Sequence, residues 1–403
     1  MKRSRVLIVG GGFAGLACAL ALDARRFAVT VVDARRHFEF IPNIHELISG
    51  VKRAGDLRLP LGSLLRDRGH RYALGEVIAV DQETRSVNLA DGRSLEADFL
   101  VIATGSADAD YGISGVHRHA LPLKSVADGQ AIAARLKKLR RGAQPARIVV
   151  VGGGLAGIEA LGEVLRHCDA QLPEVHLVEA QERLLPGGPV NASRYLAREC
   201  AKLGVTLHLG DPVARITAKT VTLESGQRLR SDATIWTGGP APPPVLATSG
   251  IGAEAGWVAV EADLRVPGHP GVFVAGDSAQ PPRPLSRQAY FALDMGAAVA
   301  DNIERLSRGR RTRRFRALPR PTLLAFGEQS CVLVAGRTAI AGKPLMALKE
   351  GIYAAVMAQL DRRQVRRRLP ALLQRSRGSS TLLWPLLEPR ALLGTDGRVR
   401  RLR

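Results

Sequence analysis

The chain has 403 residues, 46% hydrophobic and 24% charged, a globular composition that excludes a collagen-like or disordered polymer and suits two or three domains. Its 58 basic against 37 acidic residues give +21, and the stretch from Ile303 to Arg403, with 23 basic and 6 acidic residues, holds most of that excess. A nearly neutral body with a basic C-terminal quarter points to an anionic partner (lipid, nucleic acid or an acidic protein), although codon preference for arginine accounts for part of it, since only 9 of the basic residues are Lys.

The first element is Arg5 to Gly10 (RVLIVG), an apolar β-branched run that reads as a buried parallel strand. The basic start Met1 to Arg5 is not read as a signal peptide, because the apolar run behind it is too short and ends in glycines. Gly10-Gly11-Gly12-Phe13-Ala14-Gly15 follows, then a helical pattern over Leu16 to Leu22, then a strand Val29 to Val32 ending in Asp33. Gly10, Gly12 and Gly15 supply a GxGxxG between strand and helix, where the backbone can approach a pyrophosphate and the helix N-terminus faces it. Asp33 is placed to hydrogen-bond a ribose hydroxyl pair. Hairpin signals follow from Tyr72, with a turn at Asp91-Gly92, and a last apolar run leads into Ala103-Thr104-Gly105.

The same order returns. Arg147 to Val151 leads into Gly152-Gly153-Gly154-Leu155-Ala156-Gly157, a helix through Leu165, and the strand Val175 to Val178 ending in Glu179. A second set of hairpin signals, a turn at Ser225-Gly226 and a run to Trp236-Thr237-Gly238-Gly239 complete the repeat. The expected class is α/β, with two tandem Rossmann-like, three-layer dinucleotide-binding domains.

With the strand Gly271 to Ala275 running into Gly276-Asp277, these residues resemble the two-dinucleotide-domain flavoprotein reductases. That resemblance implies FAD at the first fingerprint, NAD(P)H at the second, and Asp277 at the flavin's ribityl and phosphate region. It makes the FAD domain discontinuous: residues 1–110 and 241–315, with an NAD(H) domain at 111–240 and a small basic α+β region at 316–403. Cofactor-binding residues are then Gly10, Gly12, Gly15, Asp33, Pro42, Val77, Thr104, Gly105, Gly276 and Asp277 for FAD, and Gly152, Gly154, Gly157, Glu179 and Gly238 for NAD(H).

Disulfide reductases of that superfamily carry a cysteine pair shortly after the first ribose carboxylate. Here His37 to Gly50 (HFEFIPNIHELISG) has none, and Cys18, Cys168, Cys200 and Cys331 are scattered without a close pair, which also excludes a disulfide framework and fits a reducing compartment. The segment instead resembles type II NADH:quinone oxidoreductases, where it runs along the flavin ring; for Pro42 and Glu46 a rigid turn and a helix cap or solvated face serve equally well. Sulfide:quinone oxidoreductases rely on cysteines near the flavin, whereas Cys168 and Cys331 read as packing residues.

The resemblance implies hydride transfer from NADH to the flavin, then two electrons to a quinone, ubiquinone or menaquinone. Glu179 favours NADH by repelling a 2′-phosphate, while Arg183 four positions on leaves NADPH open. Glu159 and Glu163 share one helical face behind the second fingerprint, and in the resembling family the first belongs to a proton path. Gln288 and Asp294 fall in a segment like the helix bordering flavin and quinone. Lys349 stands near the start of the C-terminal helix, where the resemblance places a residue near the flavin's pyrimidine end, but it is expected at the surface.

The C-terminal quarter holds one arginine cluster from Arg305 to Arg320, strand patterns around Gly327 and Gly336, a helix over Leu345 to Leu360, and a second cluster at Arg362, Arg363, Arg366, Arg367 and Arg368. With the apolar Leu382 to Leu387 it reads as an anchor on an anionic membrane surface, placing the protein at the inner face of the cell membrane, peripheral and cytoplasmic, with no membrane span and no metal. Nucleic acid is not expected, because a single aromatic, Phe315, stands among the arginines and no DNA-binding motif is present. A homodimer is compatible with the sequence. The alternatives are a reductase of a protein electron carrier such as a ferredoxin, or a non-catalytic NADH-binding flavoprotein.

Overall fold

A computed structural model describes residues 3–142, 145–168, 174–252, 256–360 and 400–402. The second arginine cluster and the Leu382 to Leu387 segment lie outside the described residues. The chain divides into two compact units: residues 1–40, 58–107 and 240–318 form the first, and residues 41–57, 108–239 and 319–403 the second. The sequence division puts residues 41–57 with the first nucleotide fold, whereas the chain packs them, Pro42 and Glu46 included, within the second unit.

The first unit is built on a six-stranded sheet in the order Arg265–Val266, His269–Val274, Phe99–Ile102, Ser4–Val9, Phe27–Asp33, Arg71–Leu74. All neighbours run parallel except the first pair. Val6, Leu7, Ile8, Val29, Val31 and Leu100 are fully buried, as central parallel strands covered on both faces require. Helix Phe13–Ala21 packs on helix Ala289–Leu306 at Gly296, where a Cβ would stand 2.1 Å from the Ala14 carbonyl oxygen. An antiparallel three-stranded sheet, Val77–Asp81, Ser86–Leu89 and Ser94–Glu96, carries the Asp91-Gly92 turn. After the last helix the chain from Arg310 to Pro321 has no regular structure, and most of its arginines are exposed. Asn302 ties it down by donating from Nδ2 to the Asp263 and Arg313 carbonyls (3.0 Å each) and accepting the Arg313 N–H at 2.7 Å.

The second unit repeats the plan with five parallel strands ordered Leu121–Pro122, Ala233–Trp236, Arg147–Val151, Glu174–Glu179, Thr206–Leu209. Its own three-stranded sheet, Val213–Ile216, Thr220–Leu223 and Arg228–Arg230, shares a core with Val149, Val151, Val178 and Trp236, whose indole N–H donates to the Ala109 carbonyl at 2.8 Å. Strands Thr322–Phe326, Ser330–Ala335 and Thr338–Gly342 follow as an antiparallel meander, with Arg400–Leu402 pairing parallel on its edge, and helix Pro344–Leu360 lies against it. No helix among the described residues is long and apolar enough to cross a membrane.

Candidate functional site

In the first unit the strand Ser4–Val9 ends at Gly10, held at φ +101°, where a Cβ would stand 2.3 Å from the Ala103 carbonyl oxygen. A Cβ on Gly15 would meet the Gly10 carbonyl oxygen at 1.9 Å, so glycine lets the helix close on the turn. Gly12 is the N-cap: open space faces its missing side chain, no side chain caps the helix, and its first turn has no acidic residue. Backbone N–H groups and the positive helix end are therefore available to an anion, which is what a pyrophosphate requires. Asp33 is buried at the end of its strand, with Oδ2 accepting the Gly11 N–H at 2.7 Å and Oδ1 the Arg35 N–H at 2.8 Å. Each oxygen keeps a lone pair for a ribose hydroxyl.

The second unit reproduces this arrangement. Gly152 has φ +105°, and Cβ atoms on Gly152 and Gly157 would stand 2.4 Å from the Thr237 oxygen and 1.8 Å from the Gly152 oxygen. Gly154 faces open space as an N-cap without side-chain capping. Glu179 Oε2 accepts the Gly153 N–H at 2.5 Å and Oε1 the Gln181 N–H at 2.8 Å. The Arg183 guanidinium donates to the carbonyls of Leu185, Pro186 and Gly188, so three of its five N–H donors are taken up by its own loop.

Around the first cradle, Asp277 accepts a bond from the Ser106 hydroxyl at 2.8 Å, and the fully buried Ser278 joins Thr104 Oγ1 (2.9 Å) to the Gly105 carbonyl (2.9 Å). Gly276, at φ +77°, points its N–H at Met295 Sδ. Arg287 donates to the Asp277 carbonyl at 3.2 Å and stacks 3.5 Å above the Trp257 ring. Gln288 occupies the N-cap position of helix Ala289–Leu306 without a side-chain cap bond, its Nε2 lying on the Ser286 hydroxyl at 3.0 Å, and it shares a small pocket with Asp277 and Arg287. Asp294 lies half-buried farther along that helix, and Val77 half-buried at the start of its strand. Gly238 accepts the Tyr111 hydroxyl on its carbonyl at 2.8 Å.

Glu159 and Glu163 lie within the second unit in a buried charged cluster. Helix Leu155–His167 supplies both, and neither is solvated. Lys349 is a correction: it is 9% exposed, not at the surface, and its Nζ donates to Glu159 Oε1 and to His45 Nε2 at 3.2 Å. A lysine ammonium has only donors, so His45 accepts at Nε2 and carries its proton on Nδ1, 3.5 Å from Glu159 Oε2. Glu159 also accepts the Ala325 N–H at 3.2 Å. Glu163 accepts from the Ser49 hydroxyl, with the Arg166 guanidinium 3.7 Å away. Glu46 opens the helix Glu46–Ser49 yet is buried, held by Asn43 Nδ2 at 2.8 Å and Lys52 Nζ at 2.6 Å. Lys52 reaches both Glu350 oxygens at 2.7 Å.

Burial sets the proton affinities here. Desolvation raises Glu46, Glu159 and Glu163 above the ordinary carboxyl value, against the opposing pull of Lys52, Lys349 and the Ser49 hydroxyl respectively. Desolvation, then Lys349, Lys52 and Arg166, hold His45 well below the ordinary imidazole value, so it is neutral. Burial alone would lower Lys349, but Glu159 and Glu46 outweigh it and raise the ammonium. The four cysteines are free and buried, and burial pushes Cys18, Cys200 and Cys331 up to about 12, which leaves no reactive thiolate among those three. Among the described residues no cluster of His, Cys, Asp and Glu is suited to a metal ion.

Sequence reasoning assigned no role to His45, Ser49, Lys52, Arg166 or Glu350. A histidine, an acid and a lysine at positions 45, 46 and 52, beside the apolar Leu47 and Ile48, were the available signal.

Known proteins share both the sequence pattern and the fold. The chain is 26% identical over 380 residues to a type II NADH:quinone oxidoreductase of Staphylococcus epidermidis, covering 87% of this chain and 94% of that one. It is 24% identical over 379 residues to the Staphylococcus aureus enzyme of the same name, with the same coverage. NDH2 of Plasmodium falciparum, solved with NADH, superposes with a TM-score of 0.81 at 17% identity, over 88% of this chain and 95% of that one. The sulfide:quinone oxidoreductase of Aquifex aeolicus gives 0.78 at 20% identity, over 89% and 91%. The pattern of the pyridine nucleotide-disulphide oxidoreductases matches residues 4–296, and the chain belongs to that family.

Proposed function

We propose that this chain is an FAD-dependent NADH:quinone oxidoreductase of the type II kind. The observation that carries the reading is the duplicated cradle: two glycine turns, each ending at an uncapped helix and each braced by a buried acid on the next strand. One such fold holds one dinucleotide, so two imply a pair of cofactors exchanging electrons.

The Gly10 to Gly15 turn would hold the FAD pyrophosphate, Asp33 its ribose and Asp277 the ribityl region, with Thr104, Gly105, Val77 and Gly276 lining that side. The Gly152 to Gly157 turn, Glu179 and Gly238 would hold NADH. Glu179 repels a 2′-phosphate, and Arg183, engaged with three carbonyls, offers it little compensation, which supports NADH over NADPH. The chemistry supplied by the bound flavin is acceptance of hydride from NADH and release of two electrons to the acceptor. With no cysteine between His37 and Gly50 and three of four thiols held protonated by burial, a disulfide relay and a sulfide-oxidising thiol both lack support. Glu159, paired with Lys349 and His45, can hold or hand on a proton at Oε1 or Oε2. The relatives act on quinones by name, and a lipid-soluble quinone is the acceptor this reading assigns, ubiquinone or menaquinone, with Gln288 and Asp294 toward it. The finer reading sets the protein on the anionic inner face of the cell membrane, through arginines such as those from Arg308 to Arg316, each worth about 1 kcal/mol near a charged leaflet.

Anaerobic stopped flow tests it. Purified protein is expected to be yellow, to bleach with NADH and to recover its colour with ubiquinone-1 or menadione. Protein that cannot take up FAD, or that only a ferredoxin-type fraction reoxidises, would defeat the quinone reading.

A further inference from the structure

We infer, on the NADH reading above, that Tyr111 binds the nicotinamide end of the dinucleotide, its ring serving as the platform against which that half packs. Tyr111 lies outside both glycine fingerprints. Every residue involved belongs to the second unit.

Strand order dictates where that half must lie. Strand Glu174–Glu179 flanks Arg147–Val151 on one side, and Ala233–Trp236 flanks it on the other. A dinucleotide whose adenosine ribose meets Glu179 and whose pyrophosphate meets the Gly152 to Gly157 turn therefore runs on over the C-terminal end of Ala233–Trp236. Thr237, Gly238 and Gly239 follow that end. Thr237 Oγ1 donates to the Val151 carbonyl at 2.7 Å, and a Cβ on Gly152 would stand 2.4 Å from the Thr237 carbonyl oxygen, so this loop borders the cradle directly. Residues 109–111 are stitched along it. Ala109 accepts the Trp236 indole N–H at 2.8 Å and donates its own N–H to the Gly239 carbonyl at 2.9 Å. The Tyr111 hydroxyl donates to the Gly238 carbonyl at 2.8 Å. That bond holds the phenol by its rim, and the residue stays 68% exposed.

The backbone there does not suit a tyrosine. Asp110 to Ile113 form a turn closed by the Ile113 N–H on the Asp110 carbonyl at 2.9 Å, with Tyr111 at φ +52° and Gly112 at φ +69°. Positive φ at both central residues is the pattern of a type I′ turn, whose first central position favours Asn, Asp or Gly. A bulky side chain in that place is an outlier and persists only where another interaction offsets the strain. Leu185 and Leu264 also have positive φ, at +48° and +71°, but both are buried and packing stabilises them. Tyr111 has no such burial, and a single hydrogen bond on an exposed residue contributes modestly. The ring itself, open beside a dinucleotide cradle, is therefore what the position retains. An exposed aromatic face suits a planar aromatic group, and the nicotinamide is the one the strand order brings here.

The test uses the full-length FAD-loaded protein, titrated calorimetrically with 1,4,5,6-tetrahydro-NAD, an NADH analogue that cannot give hydride, and with ADP-ribose, which lacks the nicotinamide. Thermal midpoints and NADH-driven bleaching are measured beside it. Tyr111→Asn gives the turn its favoured Asn-Gly pair, so the midpoint should stay at or above that of wild type. Its Kd for tetrahydro-NAD should rise by about tenfold, while that for ADP-ribose moves by less than about twofold. The NADH concentration giving half-maximal bleaching should rise in step with the first. Tyr111→Phe keeps the ring and should keep most of the affinity for tetrahydro-NAD. Should Tyr111→Asn fail to fold, Tyr111→Gly, equally free at positive φ, carries the test. Wild-type affinity for tetrahydro-NAD in Tyr111→Asn overturns the assignment. So does an equal loss for both ligands, or a Tyr111→Phe as impaired as Tyr111→Asn, since the tyrosine then serves the loop through its hydroxyl rather than the ligand through its ring. A yellow wild-type protein that binds no tetrahydro-NAD and is not bleached by NADH overturns the NADH reading, and the role of Tyr111 with it.

Discussion

Replacing Lys349 by Met keeps the length of the side chain and removes its charge. Its partner Glu159 then stays in a site where the two side chains are only 10% and 13% exposed, facing a neutral His45. Leaving one member of a buried pair behind costs about 3–5 kcal/mol. For a body of this size each kcal/mol lowers the midpoint by about 2–4 °C, so the transition of the second unit should fall by about 6–20 °C. Glu159 can escape part of the cost by taking up a proton, at about 1.36 kcal/mol per pH unit, so the loss should be smaller at pH 5.5 than at pH 7.5. Glu159→Gln/Lys349→Met removes both charges and should regain most of the stability. Scanning calorimetry on the four members of this cycle measures the coupling directly. A Lys349→Met midpoint within about 2 °C of wild type, or a double variant no better than the single, would refute the pairing and return Lys349 to the surface role its sequence context suggested.

Gly15→Ala and Gly157→Ala each force a Cβ to within 2 Å of a turn carbonyl, 1.9 and 1.8 Å respectively. The first should purify without yellow FAD; the second should keep its colour but fail to bleach with NADH. His45→Gln tests the pH response of stability. The folded state holds His45 neutral while the unfolded chain protonates it near its ordinary 6.5, so stability is lost as pH falls below that value. Denaturant midpoints at pH 5 to 7 should show the variant's acid-side slope reduced by up to about 1.36 kcal/mol per pH unit. The raised Glu46, Glu159 and Glu163 act in the opposite sense, removing stability as pH rises above the ordinary carboxyl value, and should persist in the variant. Glu179→Gln keeps an oxygen for the Gly153 N–H and relieves charge repulsion, so the NADPH-to-NADH ratio of kcat/KM should rise by about tenfold, one step of 1.4 kcal/mol. The full chain should bind vesicles containing anionic lipid and leave them at high salt; equal binding to neutral vesicles would favour the codon-preference explanation of the arginines.

What could be read from the sequence was local. Gly10, Gly15, Gly152 and Gly157 are imposed by backbone clearances within one turn, and Asp33 and Glu179 end the strands beside those turns, so spacing along the chain suffices to find them. The charged cluster is the reverse case. Ser49 meets Glu163 across 114 positions, Lys349 meets Glu159 across 190, and Lys52 meets Glu350 across 298. Nothing near Lys349 marks it as buried, because its helix turns it inward against a carboxylate supplied by a distant segment. Pro42 and Glu46 follow the same logic: their motif is local, but the body they pack into is decided by contacts far along the chain.

The acid that ends each second strand has two duties. Asp33 and Glu179 hold the middle glycine of their turns through the Gly11 and Gly153 N–H groups before any ligand arrives. The loops therefore have little motion left to surrender on association, so less of the binding free energy goes into ordering them. A nucleotide that is bound and released in every cycle gains from this differently from one that stays. For a permanently held flavin the bracing sets affinity; for a shuttling nicotinamide it permits quick capture without demanding slow release.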